Sequence, residues 1–587
     1  MMFPQSYSVV IQKPFLSLLV LVITLSQTGC ISNWLSGSDE DLLDNSLADW
    51  EQVVTVGDLT IPLGTNQARA VSAAMANSLN NTGGDPEISP AQDIVLTEMK
   101  ILQVENPNRI LQLPTTAVVI LEAIIPAGAK KGDRIDIKVT APKGSNCISL
   151  ERGYVLPSLM SEKLVLGGRI RSGSTLVHAR GPIVVNAVRE GIESPKLLIE
   201  GVILGGGIVA KDRPLGLRIR DSEVSVQVSS QIGAVINARF FSYDRGIKKG
   251  IANPRDDKYV GLKVHPKYRN NIRRFIRVVR FIPLRETTQQ RAERIVTIEE
   301  ELLHPDTTQL AAMKLEALGD ISIASLKKGL ASSNSKVRFC SAEALTYLDD
   351  LEGIPYLVEA VRNESVFRHW ALLALNTKNH DLNVVEEFES LLNAKSAEAR
   401  YGAFDALRKR NTIFTMGKTF DLGEEMDAYQ IRSTADPLVH FRLEGRSEMV
   451  IFGSKVQVQG PIAMVRPGGM TIRSLDSNRL RISYFSAGQD DRNIVCNRDL
   501  SDVCKAIVDL GGSYSDLIRI CFELQKSGSL NARVEIDALP SSNRVYYVEN
   551  EDDSADLTAS ADDEFNFLEE ETEESIEQNS FGFGTLF

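Results

Sequence analysis

Metal-ligating residues are sparse in this chain. Its 587 residues include six histidines and six cysteines, all dispersed, with no CxxC pair, no HExxH and no two histidines four apart. A zinc ribbon, a thioredoxin-like site and a zincin therefore find no support, and six scattered cysteines are too few for a disulfide scaffold. Glycine-rich phosphate cradles are missing as well. Gly205-Gly206-Gly207 and Gly83-Gly84 lack the Lys and Ser/Thr of a P-loop, no GxGxxG occurs, and no GxSxG elbow marks a serine hydrolase. No catalytic residue, metal site or cofactor is predicted. Positive charge is not in excess either: 65 Lys and Arg stand against 77 Asp and Glu, a net charge of −12 that argues against a general nucleic-acid binder. Long apolar runs are confined to one place, Phe15 to Leu25. Eleven residues rise only about 16 Å as a helix, about half the hydrocarbon core, so a permanent transmembrane span is disfavoured. What is present is globular: 43% hydrophobic and 24% charged residues, in a length that suits about four domains.

The beginning of the chain reads as an export signal over residues 1–30. Lys13 precedes the apolar run, and Ser26, Gln27, Thr28, Gly29 and Cys30 follow it. Gly29-Cys30 resembles a bacterial lipoprotein box, which makes Cys30 the candidate lipidation site. Gln27 stands where that box usually has Leu, so ordinary cleavage without lipid stays open. Cys340 and Cys521 sit in helical patterns among apolar residues, as buried thiols acting as small hydrophobes.

Residues 31–90 are polar and weakly patterned and read as a tether. Over 91–286 the pattern is β-rich, with runs at Ala117 to Leu121, Ile135 to Val139 and Leu197 to Ile203, and with at least one helix, near Val226 to Asn237. A longer period occupies 287–412. Ala-Leu pairs recur at 317, 344, 374 and 406, and Arg338, Arg368 and Arg400 each stand six residues before their Ala. Such repetition indicates stacked helical pairs resembling HEAT repeats, serving either as a spacer or as a surface for an unknown protein. Alternation returns over 413–548, closed by two short helices within Ser501 to Leu524 and a strand from Ala532 to Ile536. Residues 549–587 form an acidic tail predicted to be disordered. Thirteen Asp and Glu lie between Glu551 and Glu577, with no Lys or Arg after Arg544, so the remainder of the chain is close to neutral.

Two basic clusters remain: Arg273, Arg274, Arg277 and Arg280 after Lys267-Tyr268-Arg269, and Lys130-Lys131-Gly132-Asp133-Arg134 between two strands. Each reads as a solvated face or as a grip on an anionic partner, the first being favoured for the arginine helix.

The run TTAVVILEAIIPAGAKKGDRIDIKV from Thr115 resembles a hallmark of the bacterial flagellar P-ring protein family. Ser149-Leu150 with Gly153 and Leu156, Ala179-Arg180-Gly181-Pro182-Ile183-Val184-Val185, the helix ending in Ile236-Asn237 and the strand Val260 to Val264 are similar to successive segments of that family. Asp502 to Ile536 is similar to its closing two helices and strand. The family's glycine-rich opening is reduced to Thr82-Gly83-Gly84-Asp85. The resemblance brackets the repeats, and so implies an α+β multidomain fold: a β-rich P-ring-like body interrupted by an α-helical HEAT-like array. It further implies a structural, non-enzymatic role in the periplasm, at the flagellar basal body. Many copies would form a ring around the rod, beside the L-ring proteins and associated with peptidoglycan. Lys130, Lys131 and Arg134 are candidates for contact with rod or peptidoglycan. The alternative is an envelope-anchored repeat scaffold that forms no ring; a third reading is a cell-wall enzyme hidden in the β-rich part.

Overall fold

A computed structural model describes residues 53–544, apart from 85–88, 167–168, 192–193, 379, 411–416, 466–468 and 486–490. The signal segment with Cys30 and the acidic tail lie outside the described residues. The architecture is α+β and multidomain.

Six antiparallel strands close into a barrel. Around its circumference run Arg134–Thr140, Ala117–Ile125, Ala68–Asn77, Tyr154–Leu166, Arg169–Pro182 and Glu200–Val209, the last pairing back onto the first. Closure leaves this sheet without an open edge. Period-two alternation sends Ala117, Val119, Leu121, Ala123 and Ile125 into the same core as Ala70, Ala74 and Ala76. The opposite face carries Ala73 and Val118, covered by Pro90–Ile101. That helix starts where Ser89 accepts a hydrogen bond from the Gln92 amide and Pro90 occupies its first turn. Its Ala91, Val95 and Met99 fall at four-residue spacing onto the barrel, a burial that stabilises by about 4 kcal/mol.

The tether expected over 31–90 is therefore corrected, because Thr60–Leu63 and Ala68–Asn77 are strands. The second is Ala-Val-Ser-Ala-Ala-Met-Ala along its length. A narrow barrel core takes small side chains, and small side chains leave almost no hydrophobic signature. Leu197 to Ile203 also departs from expectation. Pro195–Leu198 is a helical turn capped by Ser194, and the strand begins at Glu200.

Beside the barrel lies a four-stranded sheet, ordered Thr60–Leu63, Leu215–Ile219, Tyr259–Leu262, Ala252–Pro254. Val226–Arg239 packs on it, burying Ile232 and Ile236. The helical array follows. One row is Ile272–Arg280, Thr308–Leu318, Ser335–Tyr347, Arg368–Asn376 and Ala397–Lys409, each packed on the next; Thr288–Leu303, Ile323–Leu330, Ile354–Asn363 and Leu382–Leu391 form the second row. The Ala-Leu pairs all fall in or at the end of first-row helices.

The recurrent arginines have one structural job. Arg338 Nη1 donates to Ser332 O (2.9 Å), Arg368 Nε to Val361 O (2.8 Å) and Arg400 Nε to Ala394 O (2.5 Å). Each guanidinium thus reaches the carbonyls at or just past the end of the preceding second-row helix, where helices leave acceptors unpaired and cations are favoured.

Beyond the array, a five-stranded sheet orders Gly417–Thr419, Asp427–Ile431, Glu448–Phe452, Leu438–Arg442 and Arg533–Ile536. Both faces are covered. Leu438, Val450 and Phe452 belong to the core of the array, whereas Val439, Phe441, Met449 and Ile451 belong to that of the barrel. The closing helices Leu500–Asp509 and Tyr514–Lys526 join the barrel core through Val503, Ile507, Leu517 and Leu524, with Gly511 at φ +93° between them. A further four-stranded sheet, Ala463–Val465, Met470–Ser474, Arg479–Tyr484 and Arg492–Asn497, packs there too. The two stretches flanking the array in sequence thus share one core.

Candidate functional site

Several polar connections hold the flanking stretches together, among them Arg189, which donates to Leu443 O (2.7 Å) and pairs with Asp537 (3.1 Å). Asp136 on the barrel accepts from the Gly205 amide (2.6 Å) and from the Gly445 amide (2.8 and 3.0 Å). Gly205 sits at φ +58°, and a Cβ there would come within 2.3 Å of Gly445 O, so only glycine permits this approach. On another side, Arg152 pairs with Asp516 (2.9 Å) and donates to Tyr484 Oη (2.8 Å), while Arg519 pairs with Glu151 (2.5 Å).

Buried charge lies at both ends of the array. At its start, Arg274 is 5% exposed and reaches Glu316 through Nη2 (2.5 Å) and Nε (3.0 Å), and Glu343 through Nη1 (2.6 Å). Tyr268 Oη donates to the other oxygen of Glu316, and the Arg274 guanidinium lies 4.8 Å from the centre of the Tyr347 ring, which itself stacks on Tyr268. Burial, partly opposed by Arg274, pushes the Glu343 carboxyl up to about 7. At the far end Tyr401 Oη donates to Glu448 (2.6 Å), and Arg446 bridges Glu448 (2.8 Å) and Asp405 (2.9 Å). Burial would raise the Asp405 carboxyl, but Lys409 and Arg446 overcome it and hold it well below the usual carboxylate range. The favoured reading of the arginine helix as a solvated face is thus corrected at Arg274: its side chain points into the array, because Phe275, Val278 and Val279 turn the same face inward. Arg273 alone of the four is exposed.

Of the candidate contact residues, the structure groups two and sets one apart. Lys130 and Lys131 occupy the exposed turn between the strands Ala117–Ile125 and Arg134–Thr140. Asp133 accepts from the Lys130 amide (2.8 Å) and Asp212 from the Lys131 amide (2.7 Å). Arg213 bonds Ile125 O and Asn66 O (both 2.7 Å), locking the neighbouring loop to this turn. Arg134 is exposed too, but its guanidinium lies toward Gly205 O, on the flank that meets the second β-rich part.

The turn also touches the arginine helix. A Cβ at Gly128 would meet Ile272 at 2.6 Å and Val264 at 3.6 Å. Loops that are far apart in sequence therefore meet at one seam between the barrel and the four-stranded sheet. They bring exposed Lys130, Lys131, Lys211, Lys263, Arg269 and Arg273 to the same region. Among the described residues none of these six forms an ion pair with a carboxylate. The sequence showed the two clusters separately; only the fold reveals that they adjoin.

Residues 58–301 match the family model of the flagellar P-ring protein. This P-ring match covers less than half of the chain: the barrel, the four-stranded sheet, the basic seam and the start of the array. It ends inside Thr288–Leu303, and Asp502 to Ile536 lies beyond it. The P-ring family is structural rather than enzymatic, and periplasmic at the flagellar basal body. No curated protein matches the chain. Among the described residues no helix is long and apolar enough to cross a membrane, and no group of three His, Cys, Asp or Glu could hold a metal ion.

Proposed function

We propose that this protein is a structural subunit of the flagellar basal body, exported to the periplasm, whose copies pack head to tail into a P ring around the rod. The observation that carries this reading is the family match over residues 58–301. The shared core supports it, since the matched region and Asp502 to Ile536 build one body. A closed ring needs complementary surfaces on each subunit and no active site. The helical array, HEAT-like in its paired rows, is an addition to this body that offers a face to a further protein.

The basic seam is the surface we assign to an anionic neighbour, either peptidoglycan carboxylates or the rod, and Cys30 is the position we assign to lipid. Lys130 and Lys131 belong to this surface, whereas Arg134 does not share it. A partner held by exposed charge is held weakly and can slide, unlike one gripped by buried aromatic anchors.

The test is electron microscopy of purified basal bodies from cells with and without the gene. Rings missing at the P-ring level in the deletion, and restored by the complete chain, support the proposal. Intact rings and normal swimming without the gene would overturn it in favour of a ring-free scaffold. Charge reversal at Lys130 and Lys131 should impair ring assembly or motility, while reversal at Arg134 alone should have a smaller effect.

A further inference from the structure

We infer that the acidic tail of this chain docks on the basic seam of the same molecule, so that any external polyanion must displace it. The inference does not depend on ring formation.

The seam is an accumulation of like charge with little to offset it. Six exposed cations come together where Gly128 meets Val264 and Ile272 and where Lys131 meets the Asp212 loop. The two carboxylates in these loops, Asp133 and Asp212, each accept a backbone amide. Clustered cations repel one another, and a polyanion relieves that repulsion without needing shape complementarity. The chain carries such a polyanion: thirteen Asp and Glu from Glu551 to Glu577, with no Lys or Arg after Arg544.

The tail also starts in a place from which the seam can be reached. Arg544 is fixed on the array, paired with Glu398 and donating to Ser365 O (3.1 Å). Just before it, His369 Nδ1 lies 3.0 Å from Pro540 O. From Ala397–Lys409, which carries Glu398, the first row leads back through three helices to Ile272–Arg280, which carries Arg273. Four packed spacings of about 10 Å place the seam about 40 Å away. Glu577 stands 33 residues after Arg544, a length with a root-mean-square span of about 30 Å as a coil and over 100 Å when extended. The tether is thus well matched to the gap, and a matched tether raises the local concentration of its end to about the millimolar range.

Zero-length carbodiimide crosslinking of the complete chain, followed by peptide mass spectrometry of the monomer band, tests this. Lys130, Lys131, Lys211 and Lys263 should join tail carboxylates at least tenfold more often than exposed Lys100 and Lys526 do. Raising salt from 0.1 to 1 M shortens the screening length from about 10 to about 3 Å and should abolish the preference. The Arg273→Glu, Arg269→Glu double variant leaves all four reporter lysines in place and should lower their crosslinking about tenfold. Even labelling of all exposed lysines, no tail crosslinks, or tail crosslinks found only in a dimer band would each overturn the assignment. Far-ultraviolet circular dichroism of the variant separates loss of docking from loss of folding. P rings that stay intact without the gene, together with seam-to-tail crosslinks in the purified chain, would fault the ring proposal alone.

Discussion

Replacing Arg274 with Ala should loosen the joint between the first helix of the array and the two that follow it in its row. The substitution removes a guanidinium that makes three contacts to two buried carboxylates. Glu316 and Glu343, 0% and 5% exposed, would be left facing each other without a cation. Removing one partner from a buried ion cluster costs about 3–5 kcal/mol. The cost should depend on pH. Burial already lifts the Glu343 carboxyl to about 7, above its unfolded value of about 4.5, so folding takes up a proton between those limits. Its favourable contribution is complete below about pH 4.5 and is lost as pH rises through 7. Without Arg274 nothing opposes burial, so this dependence steepens and the deficit of the variant grows from pH 5 to pH 8. Urea unfolding followed by fluorescence of half-buried Trp370 should show a midpoint lowered by about 1–2 M at pH 8 and by distinctly less at pH 5. A deficit below about 1 kcal/mol, or one equal at both pH values, would refute the reasoning. Arg274→Lys, which supplies a single point charge for two carboxylates, should fall between.

Other joints give sharper single-site expectations. Gly205→Ala should cost more than 2 kcal/mol, because its Cβ would strike Gly445 O and its φ is positive; limited proteolysis near residue 445 would report the loosened contact. Asp136→Asn should cost about 1–2 kcal/mol by weakening the bonds to the Gly205 and Gly445 amides, measured by denaturant midpoint. Arg400→Met would leave Ala394 O and Asp436 O without their shared donor and should cost about 1.5–3 kcal/mol, visible as faster amide exchange in Ala397–Lys409. His440 is fully buried and stacked on Tyr401; burial and then Arg442 hold its pKa down to about 3. The unfolded chain alone takes up that proton below about pH 6.5, so this histidine weakens the fold as pH falls toward 3. His440→Phe should therefore melt higher than the parent at pH 4.5, relative to the difference at pH 7.5.

The features legible in the sequence were those with a strong period or strong punctuation. The Ala-Leu spacing marked the first row of the array, Gly511-Gly512 marked the break between the closing helices, and the run from Thr115 carried two barrel strands and their turn. Ala68–Asn77 escaped because alanine reads the same in a strand, a helix or a linker, and only closure of the barrel decides among them. Arg274 escaped for a related reason. Its helix shows four arginines in nine residues, and nothing local says that one of them faces two glutamates placed 42 and 69 positions later. The seam needed the fold outright, because its cations come from three separate connections and the start of the arginine helix, which meet through Gly128 and Asp212.

The array differs from an ordinary stack of helical pairs in having no free terminus. Its first helix shares a core with the barrel's companion sheet, where Phe275 meets Phe240, and its last is held to the five-stranded sheet through Tyr401 and Arg446, while the barrel meets the companion sheet's side at Gly128 and is fastened to the five-stranded sheet across Asp136. It is an arch on two fixed piers. An open stack gains or loses a unit with little penalty; an arch of set span does not. The number of helical pairs in this protein is accordingly dictated by the distance between its footings, whatever the array carries on its outer side.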